Sequence, residues 1–294
     1  MRAGFIGLLA GLSAVVVLAG CTSGGGSASG GTASSSASAA PTTAAGGSYL
    51  ALGDSVPFGF RGGLSTEYRD AANFVGYPEL VGKDRGLDVF NAACPGETTA
   101  SFLDATADSN GCENRPASDT GYRDSFPLHV AYDSPDQSQM DYALETLRRN
   151  PDVRLITVQI GANDAFLCQA TTADHCQSPA EYQAVGQAIQ TNLGRILSTL
   201  RGEAQYDGDI VVVNYYALDF GSPLATASGL MNGVIAGVAA ANGATVADAF
   251  TAFQQQAAGS GGNAVTAELV LPNDVHPTDK GQRLLADTVE SVTK

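Results

Sequence analysis

The sequence predicts an α/β fold, with a largely parallel sheet covered by helices on both faces. Short apolar runs alternate with segments of helical spacing from residue 48 to residue 294, the order of a sheet built from strand–helix–strand units. The runs lack polar alternation, as strands do when both faces are buried. Several of them end in polar, glycine-containing turns, and in a parallel sheet such ends share one edge, where ligands bind.

The first strand is Tyr49-Leu50-Ala51-Leu52, running straight into Gly53-Asp54-Ser55-Val56-Pro57-Phe58-Gly59. Gly53 removes the Cβ where the chain must bend. Ser55 then stands at the carboxyl end of the strand. Gly, Asp, Ser and Pro are all turn formers, so this stretch alone reads equally well as an ordinary turn. Arg61 to Asn73 is polar and forms a loop at the rim of that edge. Phe74, Tyr77, Leu80 and Val81 have helical spacing and predict a helix over 74–85. Leu87 to Ala93 is a second strand, ending in Cys94-Pro95-Gly96-Glu97. Asp104 to Gln137 is long and irregular, and a segment of that length in a compact domain is functional or pinned.

Ser138 to Asn150 is a helix with Met140, Leu144 and Leu147 on one face, closed by Pro151. Val153 to Ile160 is the clearest strand and runs into Gly161-Ala162-Asn163-Asp164. Residues 168–176 form a small loop between two cysteines. Pro179 to Leu200 is a long amphipathic helix with Pro179 suited to its first turn. Asp209 to Tyr215 is a strand, Pro223 to Asn242 a helix of small residues ended by Gly243, and Ala244 to Ala247 a short strand. The final helix spans Asp279 to Val292, with Thr278 as its N-cap.

The first 47 residues do not read as fold. Met1-Arg2 carries a positive charge, Ala3 to Ala19 carries none, and the run ends Leu18-Ala19-Gly20-Cys21. That is the plan of a signal peptide, and the run is short for a membrane span of roughly 20 residues. Leu-Ala-Gly-Cys resembles the lipobox of bacterial lipoproteins. The resemblance implies cleavage before Cys21, lipid on its thiol and new amino group, and an extracytoplasmic protein anchored to the bacterial cell membrane. A plain secretory signal with an incidental cysteine is the other reading. Thr22 to Gly47 is almost wholly Ser, Gly, Ala and Thr, a flexible tether that cannot bury a core. The expected organisation is thus a lipoprotein signal peptide over 1–20, a disordered tether over 21–47 and one domain over 48–294.

The net charge of −15 argues against nucleic acid as a partner. Setting Cys21 aside leaves Cys94, Cys112, Cys168 and Cys176, an even number that suggests two disulfides outside the cytoplasm. Of the three pairings, the local one is favoured: Cys94 with Cys112 and Cys168 with Cys176. A zinc site is the rival. It is weak, because there is no Cys-x-x-Cys pair and His175 adjoins only one cysteine pair.

Three polar turns, at Ser55, Gly96 and Asn163, can converge on the sheet edge, and His276 can approach them from the loop before the last helix. Acyl transfer needs those residue types. A serine must lose its proton as it attacks, and histidine is the base with a suitable pKa. The tetrahedral intermediate needs donors aimed at its oxyanion, and the N–H groups of Ser55 and Gly96 with the Asn163 amide supply three. Each also has an ordinary reading: a turn at Gly96, a turn or helix cap at Asn163-Asp164, a surface loop at His276. His129 has no comparable context and reads as structural, and His175 as a surface loop residue.

Taken together, the blocks Gly53-Asp54-Ser55, Gly96, Gly161-Ala162-Asn163-Asp164 and His276-Pro277 resemble those of the GDSL family of the SGNH hydrolase superfamily, in the same order. The resemblance implies a three-layer α/β/α sandwich of flavodoxin-like type. It implies Ser55 as nucleophile, His276 as base, and Ser55, Gly96 and Asn163 as oxyanion hole. It implies ester hydrolysis with no metal or organic cofactor. The α/β-hydrolase motif Gly-x-Ser-x-Gly is absent here, since position 57 is Pro. The family usually has aspartate three residues before the histidine. Here that residue is Asn273, and the carboxylate is Asp274, two before. Asp274, Asn273 or a backbone carbonyl could orient His276. Asp274 is favoured as the nearest carboxylate, because triads are defined by geometry.

The expected function is that of a lipid-anchored serine esterase, a monomer acting on acyl lipids, short-chain esters or acetylated glycans. The Gly- and Asp-rich loops favour a small or polar ester slightly. A binding lipoprotein that kept the fold without catalysis is the alternative, and an acyltransferase would use the same residues.

Overall fold

The computed structural model describes residues 46–63, 66–113, 116 and 120–293. The expected signal peptide, Cys21 and all but the last two residues of the tether lie outside them.

Five strands form one sheet: β1 (Ser48–Gly53), β2 (Asp88–Asn91), β3 (Val153–Gln159), β4 (Asp209–Val213) and β5 (Thr245–Ala247). Every pairing is parallel and the order is β2-β1-β3-β4-β5. Leu50 lies opposite Phe90 on one side and Ile156 on the other, and Gly53 opposite Gln159. All six residues of β1 are buried, as the unbroken apolar run requires.

The connections build two helical layers. On one face α2 (Tyr77–Arg85), α9 (Ala249–Ala257) and α10 (Asp279–Glu290) pack in a row. On the other lie α5 (Gln139–Arg149), α3 (Thr99–Leu103), α7 (Pro179–Gly202) and α8 (Pro223–Ala241), each against the next. This is the three-layer α/β/α sandwich, in the flavodoxin-like strand order. That order switches direction between β1 and β3, where ligands of such sheets bind.

Several elements differ from the sequence reading in extent. The helix expected over 74–85 begins at Tyr77, because Glu79 turns back to accept from the Gly76 N–H at 2.8 Å and so sets the start there. The turn expected at 161–164 is the start of α6 (Ala162–Thr171). Cys168 is therefore helical, and only Cys176 lies in the loop beyond. α3 and α9 were not anticipated. α9 starts where the Asp248 side chain accepts from the Thr251 N–H. Within the expected irregular stretch 104–137, the described residues hold one short helix, α4 (Tyr122–Ser125). The stretch is pinned by the Cys94–Cys112 disulfide and by the Tyr122 N–H on Gly111 O at 2.7 Å. The second disulfide joins Cys168 and Cys176. Both local pairings form, so none of these sulfurs is free to bind zinc.

Candidate active site

The site grows from the bend after β1. Gly53 has φ +139°, and a Cβ there would sit 2.0 Å from Gln159 O on β3. Only glycine lets β1 end this close to its neighbour. The Gln139 side chain brackets the same residue, accepting from the Gly53 N–H at 2.5 Å and donating to the Gly53 carbonyl at 3.0 Å. Asp54 then turns inward, accepts from the Val56 N–H at 2.9 Å and caps the single-turn helix α1 (Ser55–Phe58). It also accepts from the Tyr215 hydroxyl. Burial pushes the Asp54 carboxyl up to about 7, against those hydrogen bonds. With Asp54 directed inward, Ser55 is left facing the sheet edge.

His276 arrives from the loop before α10. Its Nε2 lies 2.9 Å from Ser55 Oγ, and its Nδ1 lies 2.5 Å from Asp274 Oδ1. Asp274 accepts further from the Val275 N–H at 2.6 Å and the Gly62 N–H at 3.1 Å. No hydrogen bond joins Asn273 to the imidazole, whose partners are Asp274 and Ser55. Asn273 sits at φ +58°, a left-handed conformation that asparagine tolerates better than most residues. Through this kink the carboxylate two residues before the histidine meets the ring. The loop is held from both sides: Leu271 N–H donates to His276 O at 3.0 Å, and Tyr216 Oη donates to Val275 O at 2.6 Å.

Burial lowers the His276 pKa below 6.5, partly offset by the Asp274 carboxylate. For Asp274, burial acts upward, but the facing imidazole and its hydrogen bonds outweigh it, and the carboxyl stays below 3.8. At neutral pH the pair is a neutral imidazole beside an ionised carboxylate, the state a general base needs.

Gly96 has φ +88°, and a Cβ there would meet the Gly111 backbone at 2.7 Å. Asn163 is the second residue of α6, which follows β3. Ser55, Gly96, Asn163 and His276 all line one cavity of about 460 Å³. Neither the Ser55 N–H, the Gly96 N–H nor Asn163 Nδ2 donates to another described group. Phe60, Tyr122, Phe126 and Phe166 give the cavity an aromatic wall, and among the described residues only His276 brings a titratable group of the acid–base range. Phe60 meets the His276 ring edge-on, with centroids 4.8 Å apart. A second hollow of about 350 Å³ between α7 and α8 is lined without any titratable side chain.

The other two histidines stay apart from this constellation. His129 Nε2 lies 3.0 Å from Phe58 O, behind α1, and His175 is on the surface. Sequence reasoning missed Gln139, Tyr215, Tyr216 and Gly62, which hold the site from other elements. Tyr215 and Tyr216 follow β4 at the same sheet edge, so their position was a usable signal.

Comparison with known proteins points the same way. The GDSL-like Lipase/Acylhydrolase family matches residues 51–284. No curated protein shows significant similarity. Among solved structures, the phospholipase A1 of Streptomyces albidoflavus NA297 is 23% identical, covering 84% of this chain and 99% of its own, with a TM-score of 0.50. The acetylxylan esterase Axe2 of Geobacillus stearothermophilus is 14% identical over 85% of this chain and 94% of its own, with a TM-score of 0.52. The lipase Lip_vut3 from a goat rumen metagenome is 17% identical over 83% of this chain and 96% of its own, with a TM-score of 0.52. At these identities the likeness is one of fold.

Proposed function

The chain belongs to the GDSL-like lipase/acylhydrolase family and is a hydrolase of esters; from that premise we propose that it works through an acyl-enzyme on Ser55, with His276 as base and Asp274 as the group that orients it. The observation that carries this reading is the continuous relay Ser55 Oγ to His276 Nε2 at 2.9 Å and His276 Nδ1 to Asp274 Oδ1 at 2.5 Å. A protein that only binds has no use for such a relay.

The chemistry follows from the geometry. Ser55 Oγ attacks the ester carbonyl as His276 Nε2 takes its proton. Asp274 keeps the Nδ1 proton aimed at itself and stabilises the imidazolium. The former carbonyl oxygen, now negative, is met by the N–H groups of Ser55 and Gly96 and by Asn163 Nδ2. The intermediate collapses, His276 returns its proton to the departing alcohol, and the acyl group stays on Ser55. Water then attacks the acyl carbon, with its proton passing to His276. The acid leaves and Ser55 regains its hydrogen.

The cavity suggests the substrate class. Its volume of about 460 Å³ falls toward the small end of ligand sites, and its aromatic wall carries no fixed charge. An uncharged ester with a short acyl group fits best. The aromatic lining favours an apolar acyl group over the strongly polar one that the Gly- and Asp-rich loops suggest. Lipid attachment at Cys21 and an extracytoplasmic location complete the proposal. They rest on the Leu18–Cys21 motif and on two disulfides, which persist in oxidising compartments.

The test is hydrolysis of p-nitrophenyl esters by the full chain, with Ser55→Ala and a serine-directed fluorophosphonate alongside. Label on Ser55 and loss of turnover in Ser55→Ala are expected. Equal rates from both proteins would refute the mechanism. Turnover should favour acetyl and butyryl over palmitoyl esters. Cys21→Ala should shift the protein from the membrane to the soluble fraction.

A further inference from the structure

An oxyanion site works only if its donors are aimed before the charge develops. The side chain of Asn163 poses a problem in this respect. A carboxamide can present Nδ2 or Oδ1 with nearly the same shape. The wrong orientation would point a lone pair at the oxyanion. Nothing in the nucleophile, the base or its carboxylate decides between the two.

We propose that Asn110 is the positioning residue that decides it. Asn110 Nδ2 donates to Asn163 Oδ1 at 2.9 Å, and both residues line the cavity over Ser55. With its oxygen taken up by this donor, Asn163 is left with Nδ2 for the substrate. The same residue anchors the other outer donor. Asn110 N–H donates to Gly96 O at 2.8 Å, holding Gly96 from its carbonyl side while the Gly96 N–H stays free. One asparagine thus ties together two donors that come from different strands of the sheet.

The backbone that carries Asn110 is itself fixed. Asn110 lies two residues before Cys112, whose disulfide to Cys94 returns the segment to the end of β2. Buried Ser109 accepts from the Gly111 N–H at 3.1 Å, and Gly111 O accepts from the Tyr122 N–H at 2.7 Å. The clamp is therefore part of a pinned segment and not of a free loop. The proposal rests on the reading of Gly96 and Asn163 as oxyanion donors.

The experiment is a double-mutant cycle in the full chain, followed by kcat and KM on p-nitrophenyl butyrate. Asn110→Asp keeps the backbone bond but sets a carboxylate against Asn163 Oδ1, which favours the reversed amide. Its kcat is expected to fall by about 100-fold, the effect of losing one oxyanion donor, with KM within about twofold. Asn110→Ala, which removes the lock without reversing it, should lose less and carries the same cycle if the aspartate variant does not fold. In an Asn163→Ala background either change should alter kcat less than about threefold, because the group it positions is gone. Full kcat in both Asn110 variants, or an undiminished loss in the Asn163→Ala background, would overturn the proposal. An active Ser55→Ala enzyme would instead overturn the reading of the site on which it depends.

Discussion

His276 Nδ1 meets Asp274 Oδ1 at 2.5 Å although only Val275 separates them in the chain. Asn273 stands where the family's usual aspartate would be, and its left-handed backbone turns it away from the ring. Asp274→Ala should therefore cut kcat/KM by on the order of 10³–10⁴-fold, the scale of losing the orienting carboxylate of a triad. Asn273→Ala should leave kcat/KM within about threefold and cost about 1 kcal/mol of stability, because alanine is strained at a left-handed position. Steady-state kinetics and thermal melts of the two variants check this. Near-full turnover in Asp274→Ala would assign the orienting role elsewhere.

The pH profile carries a second prediction. Burial holds the His276 pKa below 6.5. The base is active when neutral, so kcat/KM should rise with pH through a midpoint below 6.5 and then level off. In Asp274→Asn the carboxylate that supports the imidazolium is removed, so the midpoint should move lower still. A midpoint above 6.5 in the wild-type enzyme would mean that the charged imidazole is favoured after all.

How much of this was legible beforehand depends on the range of each interaction. Ser55, Gly96, Asn163 and His276 could be found because each follows a strand or precedes a helix, and a parallel sheet gathers such ends on one edge. Asp274 was also accessible, since its partner lies two residues away. Gln139 was not. It braces Gly53 from the start of α5, 86 residues distant, and nothing local marks a glutamine in the first turn of an amphipathic helix for that task. Asn110 was hidden for a related reason. It lies in an irregular segment whose path is decided by a disulfide and by backbone bonds to Gly96 and Gly111. α6 was missed because Gly161-Ala162-Asn163-Asp164 is chemically a turn sequence, and only the bonds from the Thr99 N–H and hydroxyl to Asp164, at 2.9 and 2.5 Å, show its acid to be tied to α3.

Buried carboxylates make the domain's stability depend on pH in the opposite sense from its activity. Burial pushes Glu97 up to about 8, Asp54 to about 7 and Asp164 to about 6, each against the hydrogen bonds it accepts. A carboxyl raised in the folded state favours folding fully below its unfolded pKa near 4, and that contribution is lost as pH rises through the folded value. The loss should fall between about pH 4 and pH 8. Burial also raises Glu113, to about 7, and Glu79, so the lowered pKa of His276, which acts the other way, is one group against five. The Tm at pH 8 should lie below that at pH 5.5 by roughly 4–8 °C, corresponding to about 2 kcal/mol in a domain of this size. A Tm that climbs over this interval would show that these carboxyls ionise freely in the fold.

The two disulfides should separate stability from catalysis. Cys168 and Cys176 close 8 residues at the end of α6, and Cys176 N–H donates to Thr172 Oγ1 at 2.7 Å within the same turn. Replacing both by serine removes about 2.5 kcal/mol of chain-entropy stabilisation, with kcat kept within about twofold. Cys94 and Cys112 close 18 residues that contain both Gly96 and Asn110. Their replacement should remove about 3 kcal/mol, and here kcat should fall too, by at least about tenfold, because the oxyanion donors lose their common anchor. KM should rise as well, since Tyr122 and Phe126 of the aromatic wall hang on the segment this disulfide pins, while Phe60 and Phe166 are carried by others. Melting curves with kinetics on the two double-serine variants, measured below the lower Tm, distinguish the cases. If both variants lose stability and both keep kcat, the Cys94–Cys112 segment is a staple and nothing more.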